Sequence, residues 1–153
     1  MQLREASLAD AVAACEVMRR SIIELCGADH HDDSAILARW LANKTPEHFA
    51  SWLAQADNHV FVAVEADQIL GVGAVTDSGE ITLNHVSPAA RFRGVSRAMV
   101  AQLEARAREL GNIACMLTST ETAQRFYRAL GYVEQGPPKR LFGTDGHPMA
   151  RPL

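Results

Sequence analysis

The chain has 153 residues, enough for one domain with its own hydrophobic core. Hydrophobic residues make up 48% and charged residues 22%, the balance of a folded globular protein and not of a disordered one. A net charge of -3 excludes the basic footprint of a nucleic-acid binder, and no apolar run approaches the ~20 residues that a membrane span needs. Neither nucleic acid nor membrane is therefore expected as a partner. The first residues, Met1-Gln2-Leu3-Arg4-Glu5, lack the basic-then-apolar pattern of a secretory signal. Cys15, Cys26 and Cys115 each lie in an apolar segment and form no C-x-x-C pair, which reads as buried free thiols. Reduced thiols fit a reducing compartment, so a cytoplasmic location is expected.

Along the chain, residues 2–5 read as a short strand. Ser7-x-x-Asp10 forms a capping box, followed by Ala11, Cys15, Met18, Ile22 and Leu25 at helical spacing, with Gly27 as the stop. A second helix is expected over 33–44. Thr45-Pro46-Glu47 starts a third, with a cap hydroxyl, a proline at the first position and an acid in the first turn. The period then changes to that of strands. Segments 59–65, 69–76 and 80–86, joined by short turns, predict an antiparallel meander, with Gly71 and Gly73 weakening or bulging its middle strand. A long helix is expected over 94–110. Val100, Leu103, Ala107 and Leu110 form its apolar side, and Glu104 can pair with Arg108 on the other. A buried strand over 113–117, a helix over 120–130 and a strand over 131–134 follow. The tail holds one or two irregular strands broken by Pro137, Pro138 and Pro148. The sum is a single α/β domain over 1–153: a mixed, mostly antiparallel sheet of six or seven strands flanked by helices.

The most informative stretch runs from His85 to Met99: a strand, a short loop and the first turn of a helix. A helix start offers free N–H groups and a positive dipole end, so it attracts anions. Gly94 permits close backbone approach, Pro88 stops the strand, and Arg91, Arg93 and Arg97 add positive charge. These residues fit a phosphate or pyrophosphate site as well as an ordinary turn with solvated arginines. The pattern G-x-x-x-x-G-K-[ST] is absent, which excludes a nucleotide P-loop.

Val86-x-Pro88-x-x-Arg91-x-x-Gly94-x-Ser96 resembles the acetyl-CoA signature of the GCN5-related N-acetyltransferases (GNAT), whose core is [Q/R]-x-x-G-x-[G/A]. Ser96 departs from the usual glycine or alanine, though it is also small. Thr120-x-x-Ala123-x-x-Phe126-Tyr127-x-x-Leu130-Gly131-Tyr132 resembles the family's second motif, and the order of elements matches over nearly the whole chain.

The resemblance implies acetyl-CoA as cosubstrate and a primary amine as acceptor: a small molecule, a peptide N-terminus or a lysine. It implies that the pantetheine arm pairs with backbone groups of His85, Val86 and Ser87. The amides of Phe92, Arg93, Gly94, Val95, Ser96 and Arg97 would hold the pyrophosphate beside Arg91. Thr120, Ala123 and Phe126 would lie along the arm. Tyr127 falls on the family's general acid, where a phenol protonated at neutral pH can donate to a thiolate. For the base, Glu80 is one candidate if burial raises its carboxyl; His85 and a chain of waters are others. Ser21, Glu24, His30, His31, Asp32, Asp33 and Trp40 are candidates for the acceptor pocket. No metal is expected, because the adjacent residues His30 to Asp33 rarely converge on one ion. Dimers are common in the family, so a homodimer stays open. So does a second class of function: a module that binds an acyl-CoA without turning it over, which would keep Arg91 to Ser96 and need no acid at Tyr127.

Overall fold

The computed structural model describes residues 1–153. Strand β1 (Gln2–Glu5) leads through a 3₁₀ turn into helices α1 (Ala11–Leu25), α2 (Gly27–His30), α3 (Ser34–Leu41) and α4 (Pro46–Ala54). Strands β2 (Asn58–Glu65), β3 (Gln68–Thr76) and β4 (Glu80–Val86) form the expected meander. Helix α5 (Val95–Glu109), β5 (Ala114–Ser119), α6 (Gln124–Ala129), β6 (Val133–Glu134), β7 (Lys139–Leu141) and β8 (Thr144–Pro152) complete the chain. The sheet has eight strands in the order β1-β2-β3-β4-β5-β8-β6, with β7 paired to β8. All pairings are antiparallel except β4–β5. No helix is long and apolar enough to cross a membrane.

Strand alternation divides the apolar residues between two faces. Val60, Val62, Val72 and Ala74 face α1 and α4, around Met18 and Phe49. Phe61, Ala63 and Ile81 face α5, around Met99, Leu103 and Tyr132. The three cysteines are buried and free.

Several local expectations are corrected. Gly27 does not simply stop α1; Cys26 ends that helix and Gly27 opens the short α2. The helix expected over 33–44 spans only Ser34–Leu41, where the Asp33 carboxylate accepts from the amides of Ala35 and Ile36. The expected bulge of β3 falls beside Gly71, where the pairing passes from Ala63 opposite Gly71 to Val64 opposite Ile69 and leaves Leu70 as an extra residue; the two glycines also have a packing role. A Cβ at Gly71 would come within 2.9 Å of Val95, and one at Gly73 within 2.6 Å of Met99, so the glycines let α5 lie close on the sheet. The tail is more regular than its prolines suggest. Pro148 sits opposite Thr118 and its carbonyl accepts from the Gln135 amide, so β8 runs through it.

Glu104 was expected on the exposed side of α5. It is instead 4% exposed. Its carboxylate accepts from Arg151 at 2.9 and 3.0 Å and from the Tyr132 hydroxyl at 3.0 Å, while Arg108 stands 3.9 Å away. Burial, and then the Glu104 charge, push the Tyr132 phenol far up, so it stays a donor. This cluster fastens β8 and the segment after α6 onto α5. Replacing Glu104 by leucine leaves Arg151 without its carboxylate and Tyr132 without its acceptor. The expected cost is about 2–3 kcal/mol, a fall in melting temperature of roughly 4–12 °C. An unchanged melting curve would show that the cluster adds no stability.

Candidate active site

Strands β4 and β5 run parallel but pair only at Glu80–Met116 and Ile81–Leu117. Beyond those two rungs they diverge. A cleft of about 470 Å³ opens there, roofed by the α3–α4 connection and by the β7–β8 hairpin. Trp40, Lys44, Asn84, His85, Tyr127 and Phe142 are among its lining residues.

Tyr127 is 6% exposed and sits edge-on between Phe126 and Tyr132, with centroids 5.1 and 5.6 Å away. Asn84 Nδ2 donates to its hydroxyl at 3.0 Å. A hydroxyl that accepts this bond keeps its own proton for another partner. Burial pushes the phenol up to about 12, against the opposing pull of Asn84. Asn84 Oδ1 is buried with no hydrogen-bond partner, the one side-chain atom of the protein in that position. A buried acceptor left open in a cleft wall is a place for a ligand donor.

His85 points to the opposite face of β4. Burial, and then the nearby Lys44 ammonium, push its imidazole down to about 3. Part of its surface remains open to the cleft. The direction is what matters: the ring is neutral at physiological pH.

The backbone expectation needs changing at Ser87 and, with it, at His85. The Ser87 amide donates to Leu70 O at 2.8 Å, and its carbonyl accepts from Ala90. Both groups are therefore engaged within the protein. Backbone groups alternate along a strand, so those of His85 also point toward β3, and those of Asn84 and Val86 point into the gap.

Beyond the gap, a 3₁₀ turn over Pro88–Ala90 leads to the exposed residues Arg91 to Gly94 and then to α5. Phe92 and Gly94 take φ values of 64 and 81°. The Arg91 guanidinium lies 4.5 Å from the Phe92 ring centroid. Gly94 caps α5 without any side-chain hydrogen bond, and nothing lies within 4 Å of where its Cβ would be. The first amides of α5, from Val95, Ser96 and Arg97, thus face an open approach. Arg93 is less free than its sequence position suggests, because it pairs with Glu65 at 2.8 Å. The Val95 side chain belongs to the core beneath.

Thr120 and Ala123 line the cleft, while Phe126 packs behind Tyr127. The helix expected from residue 120 starts only at Gln124. The turn before it is tied down by Asp29, buried in the second half of α2. Its carboxylate accepts from the amides of Glu121 at 2.7 Å and Thr122 at 3.2 Å and from the Thr122 hydroxyl at 2.5 Å, holding 121–123 as a turn. The Thr120 hydroxyl accepts from the Ala123 amide at 3.1 Å.

Glu80 is corrected. It is exposed at the start of β4 and does not line the cleft, so the burial expected of it is absent. Of the acceptor-pocket candidates only Trp40 lines the cleft. His30 is locked in the interior, with Nε2 on Ile22 O at 2.9 Å and Nδ1 accepting from the Asp32 amide. Glu24 pairs with Arg20, and Asp33 caps α3. Asn84, Lys44 and Asp29 were missed. Asn84 gave no sequence signal that set it apart from the other polar residues of β4, Glu80, Thr82 and His85. Asp29 gave none because its partners lie 92 and 93 residues on, and Lys44 none because its burial comes from the fold and not from its neighbours in sequence.

The acetyltransferase (GNAT) domain model matches residues 27–153. The chain belongs to the GNAT acetyltransferase family. No curated protein matches it in sequence. Among solved structures, this GNAT domain is similar to a GCN5-related N-acetyltransferase from Rhodopseudomonas palustris, with 20% identity, 99% of this chain and 95% of that one covered, and a TM-score of 0.88. It is also similar to PaiA N-acetyltransferase from Thermoplasma acidophilum, solved with coenzyme A (15% identity, 99% and 98% covered, TM-score 0.85). A third is yncA from Salmonella typhimurium, solved with acetyl-CoA (21% identity, 100% and 94% covered, TM-score 0.70).

Asp29 controls the turn that leads to Tyr127. Asp29→Ala would strip the acceptor from two backbone amides and a hydroxyl. We expect a loss of about 2–3 kcal/mol. Hydrogen exchange at the Glu121 and Thr122 amides should accelerate more than at β2 amides. Equal acceleration everywhere would mean that Asp29 acts only through global stability.

Proposed function

We propose that this GNAT domain transfers the acetyl group of acetyl-CoA to a primary amine by direct attack within a ternary complex. The observation that carries the reading is the divergence of β4 and β5 into a gap that ends at the bare N-terminus of α5. The gap offers backbone groups of Asn84 and Val86 along one edge. The α5 turn offers amides and the charge of Arg91 and Arg97 to a pyrophosphate. The open Oδ1 of Asn84 offers an acceptor to an amide N–H of the pantetheine arm. Two of the similar proteins hold coenzyme A or acetyl-CoA, which supports the same cosubstrate here.

Acetyl-CoA supplies a thioester carbonyl and a thiol leaving group. The residues of this chain do the rest. Asn84 orients the Tyr127 hydroxyl by donating to it, so the phenolic proton points away from Asn84 and can reach the departing sulfur. With its phenol at about 12, Tyr127 holds that proton through the physiological range. Neutral His85 can accept a hydrogen bond from the attacking amine. Its depressed basicity means that it passes the proton on to solvent and does not keep it, so a relay through water fits better than a single strong base.

Three measurements test this reading. Acetyl-CoA at ~100 times its Kd should stabilise the fold by about 2.7 kcal/mol, a rise in melting temperature of roughly 5–10 °C. No shift would remove the cosubstrate. Gly94→Glu puts bulk at a left-handed position and a negative charge beside the expected pyrophosphate. It should abolish coenzyme A binding in calorimetry, and an unchanged affinity would displace the proposed phosphate site. Tyr127→Phe should bind coenzyme A normally while turnover falls by about tenfold or more, which is ~1.4 kcal/mol. Binding without turnover in the unaltered protein, on every amine offered, would favour a binding module instead.

A further inference from the structure

Lys44 has no role in the transfer just described, yet it lines the same cleft. It is 5% exposed. Its ammonium donates to Asn43 Oδ1 at 2.6 Å and reaches the Trp40 carbonyl at 3.4 Å. No carboxylate lies within ion-pairing distance of it. The cleft's one acidic residue, Asp145, is already paired with Arg140 at 3.1 Å. Lysines are almost never this buried without a counter-charge, because desolvating an unpaired ammonium is costly. Burial has pulled this one down to about 8, which leaves it predominantly protonated near neutral pH. One of its three donors has no partner in the protein.

The rest of the wall fits the same picture. Lys44 and Asp145 apart, the cleft is lined by uncharged groups, among them Trp40, Trp52, Asn43, Asn84 and His85, the last held neutral partly by Lys44 itself. The acids once considered for a cationic acceptor, Glu24, Asp32 and Asp33, do not line the cleft. A doubly charged or strongly cationic amine would meet an uncompensated positive charge in the cleft wall.

We infer that the acceptor amine carries a carboxylate, as in an amino acid or a short aminocarboxylate, and that Lys44 is its counter-charge in the cleft. This rests on the acetyl-transfer reading for the amine, but not for the anion. The volume of about 470 Å³ suits a small molecule of this kind beside the end of a cosubstrate arm. The carboxylate completes the ion pair that the protein leaves open. Discrimination follows from the same physics: an uncharged analogue leaves the ammonium buried and unpaired.

The test uses the full chain loaded with coenzyme A, titrated in a calorimeter with a panel of free amino acids, their amides and their decarboxylated amines. Release of free thiol from acetyl-CoA is measured on the same panel. At least one carboxylate should bind and react better than its amide by about thirtyfold or more. In Lys44→Met, which keeps most of the side-chain volume, that ratio should fall toward one. Coenzyme A affinity in the same titration checks that the variant is folded. If amides and decarboxylated amines are preferred by the unaltered protein, or no compound shows a carboxylate-dependent affinity, the inference is overturned without need of the variant. It is also overturned if Lys44→Met slows carboxylate and amide equally, because Lys44 would then act on the amine. Carboxylate binding that depends on Lys44, with no thiol release, would instead sink the acetyl-transfer reading and leave the anion site standing.

Discussion

The site depends on a pairing that stops. Two parallel strands would ordinarily zip along their shared length, each rung satisfying backbone groups that are costly to leave bare. Here β4 and β5 join at two rungs and then separate. What drives them apart is on either side of the sheet. Gly71 and Gly73 let α5 settle close on β3 and β4, and Ser87 is drawn to Leu70, so β4 stays with the meander. β5 is held by β8 along all six of its residues, from Ala114 against Pro152 to Ser119 against His147. β8 is in turn fastened to α5 through Arg151 and Glu104. Each strand is committed to a different neighbour, and the gap is what remains between two rigid halves.

The alternation of β4 then gives that gap two chemically different walls. Asn84 projects to the α5 and α6 side, where it meets Tyr127. His85 projects to the α1 and α4 side, where it meets Lys44. In the transfer proposed here, the two reactants would meet these two walls from opposite faces. One wall carries a proton donor and an open acceptor atom; the other carries a neutral ring and a cation. A one-residue slip of β4 would exchange the two sets and put the cation beside the phenol, so the register of the meander is also the order of the chemistry.

Much of this was legible in the sequence, for identifiable reasons. The meander, α5 and the turn at Gly94 depend on local signals: period, turn residues and a bare helix start. They were found with boundaries off by a residue or so. Tyr127 was found because it sits in a motif at a fixed distance from Gly94. What failed depended on contacts distant in the chain. Asp29 reaches 92 residues forward to tie down the turn before α6, and nothing near Thr120 betrays that. Glu104 looked like a surface partner for Arg108 by helical spacing, but Arg151 and Tyr132 bury it. Glu80 was chosen by its position along a strand, and a strand's first residue next to a turn has too few neighbours to desolvate a carboxylate. Lys44 was hidden by the opposite error: a lysine between two helices reads as solvated until the fold places His85 and Trp40 around it.

The electrostatic state of the cleft ties these pieces together. Tyr127 and His85 are both held neutral, one with its proton and one without, chiefly by burial. Lys44 is then the one unpaired charge facing the reacting space. A fixed, buried cation lowers the proton affinity of any base beside it, as it does for His85. The same field would act on an incoming amine, favouring the unprotonated form that can attack a thioester. An anionic group on the acceptor would bring the molecule in despite that field, while the amine end feels what remains of it. Under the proposed reading, recognition and activation would then both come from one buried ammonium, a role that a leucine of similar size could not fill.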